Sequence, residues 1–228
     1  MDIGVKIHNL AKRLWGINRS ITGEGVRETL TILKKHLPNL VIKSVPSGSD
    51  VFDWTVPKEW KVKEAYIVAP DGRKICDFKK NNLHVVNYSV KINKKILLKD
   101  LKKKLFYIKS RPDAIPYVTS YYKKSWGFCI EYNKMKNLKD EIYNVKIDSS
   151  FSKGHLNYGE ILIPGKSKKE ILFTTYICHP SMANNELSGP SLLTFISKWL
   201  KKRKNNYTYR ILFLSETIGS IAYISENL

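Results

Sequence analysis

Residues 171–202, ILFTTYICHPSMANNELSGPSLLTFISKWLKK, contain the clearest indication of the fold in this chain. The first eight residues of this stretch are apolar or uncharged and predict a buried strand, and residues 191–202 carry an apolar stripe at helical spacing. A second buried strand follows at 209–214, and another helix begins at Gly219. Strand, loop, helix and strand in this order predict a doubly wound α/β sheet, whose ligand sites lie beyond the carboxyl ends of its strands.

Upstream of this stretch the chain changes character near residue 40. Residues 1–40 contain two amphipathic helices separated by a polar, glycine-bearing turn, and the second helix stops at Pro38. Residues 41–135 are rich in short strand-like runs, and Asp71-Gly72 between two such runs predicts a β-hairpin. We therefore expect a helical start at 1–40, a β-rich unit at 41–135 and α/β material at 136–228.

The composition narrows the class of protein. No apolar run approaches the roughly 18–20 residues of a membrane-spanning helix, and the N-terminus lacks the apolar segment of a secretory signal. The cysteines Cys76, Cys129 and Cys178 are odd in number and lack metal-ligand spacing, so we expect reduced thiols, a cytoplasmic location and no membrane insertion.

The chain is strongly basic, with 40 Lys and Arg against 20 Asp and Glu and a net charge of +20. Such an excess permits binding to nucleic acid. The lysines are nevertheless scattered in short runs, and Lys, Asn, Ile and Tyr are abundant together, which favours a compositional bias. A nucleic-acid partner is therefore disfavoured, because neither a recognition helix nor an aromatic RNA-binding motif is visible.

Polar residues follow both predicted strands of the last third. His179 and Glu186 come after the first strand, and Glu216 comes after the second. Convergent histidine and carboxylate groups suit zinc, with water activated by a nearby glutamate. The alternative is a buried, hydrogen-bonded His179 with two glutamates that favour helix N-termini through the helix dipole. Spacing alone leaves both interpretations open.

Several segments resemble a known family. ICHPSMANNELSGP and FLSETIGSIAY resemble the metal-site segments of the co-catalytic zinc aminopeptidases. Together with INRSITGEGVRETL, VPSGSDVFDWTVPKEW, NNLHVVNYS, DAIPYVTSYYKKSWGFC and YGEILIPG, they are more similar still to an aminopeptidase-like bacterial family of unknown function. The resemblance implies a zinc-exopeptidase-like mixed sheet with helices on both faces, interrupted by a small inserted β-rich domain. It also implies that 1–228 is the N-terminal portion, with the C-terminal part of the α/β domain missing.

The resemblance assigns roles to the first group of polar residues. His179 matches the first metal-ligand histidine. Asn185 stands where the zinc aminopeptidases have an aspartate that bridges two ions, so the adjacent Glu186 is the expected metal ligand. Ser181 stands where an aspartate usually follows the histidine by two residues.

The resemblance also makes Glu216 the general base, whereas Thr217 replaces a second glutamate that normally binds metal. These departures favour one zinc ion over two. Six residues are candidates for contact with substrate or for support of the ligands: Asn185, Ser181, Thr217, Ser188, Arg19 and His84.

The leading functional prediction is a metal-dependent, aminopeptidase-like hydrolase that cleaves an amide or peptide bond with zinc-activated water. We expect this chain to be a truncated and inactive form with an unpaired sheet edge, which invites aggregation or homo-oligomer formation. The alternative is a non-catalytic peptide- or saccharide-binding protein on the same fold, which Asn185 and Thr217 would allow. A basic nucleic-acid binder is the third hypothesis.

Overall fold

The computed structural model describes residues 2–228 and divides into two compact units. The first unit contains the residues up to Glu59 together with Ser152–Leu228, and the second unit contains Trp60–Phe151. In chain order the elements are α1 (Ile3–Trp15), α2 (Glu24–His36), β1 (Val41–Pro46), β2 (Asp50–Val51), β3 (Trp54–Thr55), β4 (Glu59–Val68), β5 (Lys74–Ile75), β6 (Ile92–Leu97), α3 (Leu98–Leu101), β7 (Leu105–Phe106), β8 (Phe128–Cys129), α4 (Tyr132–Met135), β9 (Ile142–Ser152), β10 (His155–Ile163), β11 (Ser167–Tyr176), α5 (Ser188–Lys201), β12 (Tyr207–Leu214) and α6 (Ile218–Asn227).

The first unit is built on a mixed four-stranded sheet in the order β1-β10-β12-β11. Strand β10 is antiparallel to both β1 and β12, whereas β11 and β12 are parallel. The predicted strands at 171–178 and 209–214 are thus neighbours, observed as β11 and β12. Their parallel pairing confirms the strand–helix–strand prediction and brings their carboxyl ends to one edge of the sheet.

Helices cover both faces of this sheet, as expected for a doubly wound fold. On one face, Ile161, Ile211 and Phe213 of the sheet share a buried cluster with apolar residues of α1, α2 and α5. On the other face, Tyr158 of β10 contacts Tyr223 of α6 edge to face. Successive side chains of a strand point to opposite faces of the sheet. Tyr158 and Ile161 are three positions apart in β10, so they lie on opposite faces. The predicted mixed α/β architecture is confirmed.

Helix α1 is stabilised by a side-chain cap, by charges that suit its dipole and by burial of one face. The Asp2 side chain accepts a hydrogen bond from the Gly4 amide at 2.8 Å and caps α1, whose last turn carries Lys12 and Arg13 beside the carbonyl end of the dipole. Helix α1 buries Leu10 and Leu14 against the core of the first unit. Burial of this apolar stripe holds the helix against the sheet.

The second unit contains a four-stranded sheet in the order β5-β4-β9-β6 and the short parallel pair β7–β8. The predicted Asp71-Gly72 hairpin joins β4 to β5, and Gly72 takes the left-handed conformation with φ 83° that the turn requires. The run HVVNYSV at 84–90, one of the strand-like runs of the β-rich block, forms isolated bridges at Val85 and Asn87 and no named strand. A 3-10 turn at Asn82–His84, capped by the Asn81 side chain, overlaps its start.

The limits of the two units differ from the predicted limits of 41 and 135. Strand β1 lies in the sheet of the first unit because it pairs with β10, more than 100 residues away along the chain. Strand β9, beyond residue 135, pairs with β6 in the second unit. Both strands have the expected local pattern, but their partners are remote in sequence.

The structure also shows the character of the helices and the state of the cysteines. No helix within residues 2–228 combines the length and the apolar character needed to cross a bilayer. Cys76, Cys129 and Cys178 are all buried free thiols.

Candidate metal centre

The candidate site lies just beyond the carboxyl ends of β11 and β12. The Ile177 amide donates to the Leu214 carbonyl at 3.0 Å and continues the pairing past β11. One residue further on, the Glu216 amide donates to the Cys178 sulfur at 3.2 Å. These two contacts hold the chain segments side by side, so that His179 and Glu216 emerge as neighbours.

Glu186 is bound through both of its oxygens by His179. One carboxylate oxygen accepts from the His179 backbone amide at 2.6 Å, and the other lies 3.0 Å from the ring Nδ1. The Glu186 side chain is 0% exposed. Because an ionised carboxylate can only accept hydrogen bonds, Nδ1 carries the proton and donates it to Glu186. The ring is thereby fixed in orientation, and its tautomer is set.

The opposite edge of the His179 ring meets Glu216. The ring Nε2 lies 3.5 Å from a Glu216 carboxylate oxygen, and the Glu216 side chain is 42% exposed whereas the His179 side chain is 11% exposed. Burial by itself would lower the pKa of His179. The hydrogen bond and charge of Glu186, the charge of Glu216 and a hydrogen bond with the Asn185 side chain together outweigh burial and raise the pKa. Nε2 and Glu216 thus border one solvent-reached polar space.

A π-helical turn at Ala183–Leu187 directs Glu186 inward. The amides of Glu186 and Leu187 both donate to the Met182 carbonyl, at 3.1 and 3.2 Å, which widens the turn. At the start of α5 a Cβ on Gly189 would lie 2.1 Å from the Thr175 hydroxyl oxygen. Only glycine lets the start of α5 approach β11 this closely, and that approach places Glu186 beneath His179.

Arg19 supports the site from within the protein. The residue is 1% exposed, and its Nε donates to the His179 carbonyl at 2.9 Å while Nη1 donates to the Leu14 carbonyl at 2.8 Å. Burial lowers the pKa of Arg19 to about 10, and the charge of Glu186 partly opposes that shift. A buried cation therefore accompanies the buried Glu186 carboxylate. Of the two roles predicted for Arg19, this buried position fits support of the ligands and does not fit contact with substrate.

Both loops of the site contain strained backbone. Ser181 has φ 38° and Thr217 has φ 53°, a region that residues other than glycine seldom adopt and that is unfavourable for a β-branched residue. The Ser181 hydroxyl donates to the Trp15 carbonyl at 2.7 Å and ties the first loop to the end of α1. In the second loop the Ser215 hydroxyl donates to the Ile21 carbonyl at 2.9 Å. The end of α1 and the turn after it thus anchor both loops.

Ser188 and His84, two of the predicted residues, make contacts of a local kind. Ser188 is exposed, and its hydroxyl donates to the Asn184 carbonyl within the π-helical turn. His84 belongs to the second unit, where its Nδ1 lies 2.8 Å from the Cys129 carbonyl. Burial is the main cause of its lowered pKa. The structure gives both residues local structural contacts.

Cys178 lies in the site although it is not among the residues that the sequence predicts there. Among residues 2–228 the metal-capable group that stands out is Cys178, His179 and Glu186, with ligand atoms within 4.8 Å of one another. Burial, reinforced by the charge of Glu186, raises the pKa of Cys178 well above its ordinary value. The available signal was its position directly before His179 at the end of an apolar strand.

The donor chemistry of this cluster fits part of a zinc site. A histidine whose second ring nitrogen is held by a carboxylate is the usual form of a zinc-binding histidine. A catalytic zinc takes three protein ligands and a water. Glu186 accepts two hydrogen bonds from His179, and the Cys178 sulfur accepts one from the Glu216 amide. Among residues 2–228 this cluster therefore supplies part of a zinc ligand set, with His179 as its strongest donor.

The chain matches one protein family and a longer relative. The model of a family described as "Domain of unknown function (DUF4910)" matches residues 8–228. The chain belongs to the DUF4910 family. A Clostridium acetobutylicum relative, named as a candidate polysaccharide biosynthesis protein with an aminopeptidase-like domain, is 54% identical over 226 residues. The match covers 99% of this DUF4910 chain and 52% of the relative, so the chain spans about half the length of that protein.

Solved structures show the same fold. A Clostridium acetobutylicum structure, described as a candidate peptidase, gives a TM-score of 0.94 at 54% identity and covers 98% of this chain and 53% of its own. The zinc aminopeptidase BSAP from Bacillus subtilis gives 0.63 at 12% identity, covering 99% and 64%. A peptidase M28 precursor from Shewanella amazonensis gives 0.63 at 11% identity, covering 97% and 67%. The predicted family resemblance and the aminopeptidase-like fold are confirmed.

Proposed function

We propose that this DUF4910 chain supplies the metal-binding histidine and the general base of a metal-dependent, aminopeptidase-like hydrolase. The observation that supports this proposal is that Glu186, His179 and Glu216 contact one another in that order, beyond the ends of β11 and β12. Glu186 holds Nδ1 of His179 at 3.0 Å, and Glu216 stands 3.5 Å from Nε2 on the solvent side. A histidine oriented by one buried carboxylate and facing a second, accessible carboxylate has the arrangement that hydrolysis by metal-activated water needs.

Each residue has a distinct role in this proposal. His179 offers Nε2 to zinc, and Glu186, which the resemblance made a metal ligand, is proposed to orient the ring through Nδ1, since its two oxygens accept from the amide and the ring of His179. Zinc, when bound, lowers the pKa of its water and polarises the substrate carbonyl. Glu216 accepts the proton of the attacking water and passes it to the leaving amine. Arg19 compensates the buried charge of Glu186.

The number of available zinc ligands determines whether residues 1–228 can bind zinc and catalyse hydrolysis by themselves. If Glu216 acts as the base, His179 remains the one well-formed ligand among the described residues, and three are needed. We therefore expect weak zinc binding and no turnover by 1–228 itself. One ion remains favoured over two, because Asn185 and Thr217 stand at positions where the resemblance expects carboxylate ligands. A peptide or amide with a free amino terminus is the proposed substrate class, by analogy with the zinc aminopeptidase neighbours.

The same two departures favour a second candidate, a peptide- or saccharide-binding protein without catalysis. Asn185 is exposed beside His179, and its amide cannot replace the charge of a bridging carboxylate. A polar cleft with a histidine, an amide and a carboxylate can bind a ligand by hydrogen bonds alone. Zinc dependence of binding or turnover separates this candidate from the hydrolase.

The test uses a chimera in which residues 1–228 replace the matching 52% of the Clostridium acetobutylicum relative. We expect the chimera to bind zinc and to hydrolyse an aminoacyl-anilide, with Glu216→Gln lowering kcat by ~10²–10⁴-fold while leaving zinc content intact. His179→Ala should remove zinc and activity together. Full activity of the Glu216→Gln chimera would contradict the base assignment. Tight stoichiometric zinc with turnover by 1–228 alone would show that the site is already complete.

A further inference from the structure

A basic cleft lies between α1 and α5 in the first unit. Its volume is about 740 Å³, which is within the range of roughly 300–1,000 Å³ that small-molecule sites occupy. Trp199 on the wall of this cleft follows Ser188 by eleven residues, which corresponds to about 17 Å along α5. The cleft is therefore separate from the candidate metal centre, whose residue Glu186 lies just before Ser188.

Four cationic side chains converge on this cleft. Two lie on α1, seven residues apart, and two lie on α5, four residues apart, so each helix turns one charged face to the cleft. Among residues 2–228 no carboxylate lines the cleft, and none of the four cations has a carboxylate partner. Like charges that face each other across a cleft repel, and a bound anion removes that repulsion. The four residues are Lys6, Arg13, Lys198 and Lys202.

The positive charge is centred on the three lysines. Arg13 also borders a neighbouring cleft that contains Glu24 and Glu28, whereas the lysines do not. The Lys198 ammonium lies 3.4 Å from the Nδ1 atom of His36, which is a further residue of the cleft wall. Burial, together with the charges of Lys198 and Arg13, lowers the pKa of His36. An anion in the cleft would therefore meet a concentrated positive potential.

Two aromatic rings stand beside these cations. Phe195 is half-buried, and the Lys198 ammonium lies 5.4 Å from its ring centroid. Trp199 is 54% exposed, and the Arg203 guanidinium lies 4.3 Å from its ring centroid. Cation–π attraction holds a positive charge near each ring, so charge and planar apolar surface are adjacent in the cleft. Stacking on an exposed aromatic ring is a common way in which proteins bind a nucleobase.

This combination of groups indicates the chemical class of the ligand. A lone carboxylate carries one charge and no ring, whereas a diphosphate carries several charges and suits a cluster of lysines. A nucleobase supplies the planar ring that can pack on tryptophan. We propose that the cleft binds a nucleoside diphosphate, with its phosphates on Lys6, Lys198 and Lys202 and its base against Trp199. This inference uses no residue of the metal centre and is independent of the proposed function.

The test is isothermal titration calorimetry of residues 1–228 with ADP. The titrations are run in 0.15 M salt, where the Debye length is about 8 Å and the overall charge of +20 is largely screened. We expect one ADP to bind each chain with a Kd below roughly 0.1 mM. Adenosine and pyrophosphate, which each supply one part of the ligand, should bind at least tenfold more weakly.

Variants in the cleft locate the site. The double variant Lys198→Gln with Lys202→Gln removes two of the phosphate contacts, and Trp199→Leu removes the ring on which the base packs. Each should weaken ADP binding at least tenfold, the effect of losing charge-assisted hydrogen bonds or one stacked base. The urea unfolding curve of each variant is measured in parallel and shows whether the variant is folded.

Matched variants elsewhere serve as controls. Lys168→Gln with Lys169→Gln removes the same charge from an exposed lysine pair of the first unit that lies outside the cleft. Trp126→Leu removes a tryptophan whose ring centroid also lies near two lysines, 5.7 Å from Lys94 and 5.6 Å from Lys104. Both should leave ADP binding unchanged.

Five outcomes would overturn the proposal. One is the absence of ADP binding by folded 1–228, and another is an equal loss of binding in the Lys168→Gln with Lys169→Gln control, which would indicate attraction by the overall charge. Pyrophosphate that binds as tightly as ADP would show an anion site that does not recognise the base. Displacement of ADP by a glutamate-rich peptide at lower concentration would show a docking surface for acidic polypeptide. Loss of ADP binding in the chimera would show that the remaining polypeptide occupies the cleft. None of these measurements depends on metal or on turnover.

Discussion

Both carboxylate oxygens of Glu186 are bound by His179, one by its backbone amide at 2.6 Å and the other by its ring Nδ1 at 3.0 Å. A single residue thus engages both oxygens of a completely buried carboxylate. In the proposed function, the glutamate that the sequence resemblance marked as a metal ligand acts as the orienting partner of the histidine. The role follows from the π-helical turn, which brings two residues seven positions apart into a closed ring of contacts.

Replacing Glu186 by glutamine should weaken metal binding without abolishing it. A glutamine can accept from only one of the two His179 donors, so the ring loses its fixed orientation. In the chimera we expect zinc affinity to fall by ~10–100-fold, the usual effect of losing an orienting carboxylate, as measured by competition with a chelating dye. Ser188→Ala, directly after the same turn, is the control. Complete loss of metal would instead indicate that Glu186 is itself a ligand.

Replacing Arg19 by methionine should destabilise the first unit strongly. The change leaves the buried Glu186 carboxylate without its nearby cation and removes two hydrogen bonds to main-chain carbonyls. We expect the free energy of unfolding in urea to fall by about 3–5 kcal/mol. Arg13→Met, on the exposed side of α1, should change it by less than about 0.5 kcal/mol. The double variant Arg19→Met with Glu186→Gln should recover part of the loss. Strict additivity would refute the charge coupling.

The stability of the first unit should depend on pH through Glu160. Burial tends to raise the pKa of Glu160, but hydrogen bonds from Lys43, at 2.7 Å, and from Arg210 outweigh burial and lower it. A carboxyl whose pKa is lower in the folded state stabilises the protein above its unfolded pKa. That contribution is lost as the pH falls through the folded pKa. We expect unfolding free energies measured between pH 7 and pH 3 to decline less steeply in Glu160→Gln. Identical slopes would show that Glu160 does not contribute.

Gly189 should not tolerate a side chain unless its neighbour is reduced. A Cβ there would lie 2.1 Å from the Thr175 hydroxyl oxygen and 3.3 Å from the Thr175 Cβ. Gly189→Ala should therefore lower thermal and urea stability by about 1–3 kcal/mol, and adding Thr175→Ala should restore most of it. Gly16→Ala is the control, because a Cβ at that position would meet nothing within 4 Å. A neutral Gly189→Ala would mean that α5 and β11 separate easily.

Much of the site was predictable because parallel strands share an edge. The alternation of strand, loop, helix and strand after residue 170 is a local pattern, and it was enough to place His179 and Glu216 at neighbouring strand ends. It did not reveal the geometry between them, since the amide of Glu216 reaches the Cys178 sulfur only after β11 and β12 pair in one particular register. The burial of Arg19 was likewise hidden, because its partner carbonyl lies 160 residues away.

Local sequence patterns were sufficient to predict the long helices, most of the strands of the first unit and the polar residues at the strand ends. Those features depend on the spacing of apolar residues and on turn chemistry, which act within a few positions of each other. Long-range contacts, by contrast, determine that β1 joins β10, that Glu186 turns inward to bind His179, and that β11 forms an edge of the sheet within residues 2–228. These relationships arise from contacts between segments far apart in the chain, whose free energy depends on register and packing that no local pattern contains.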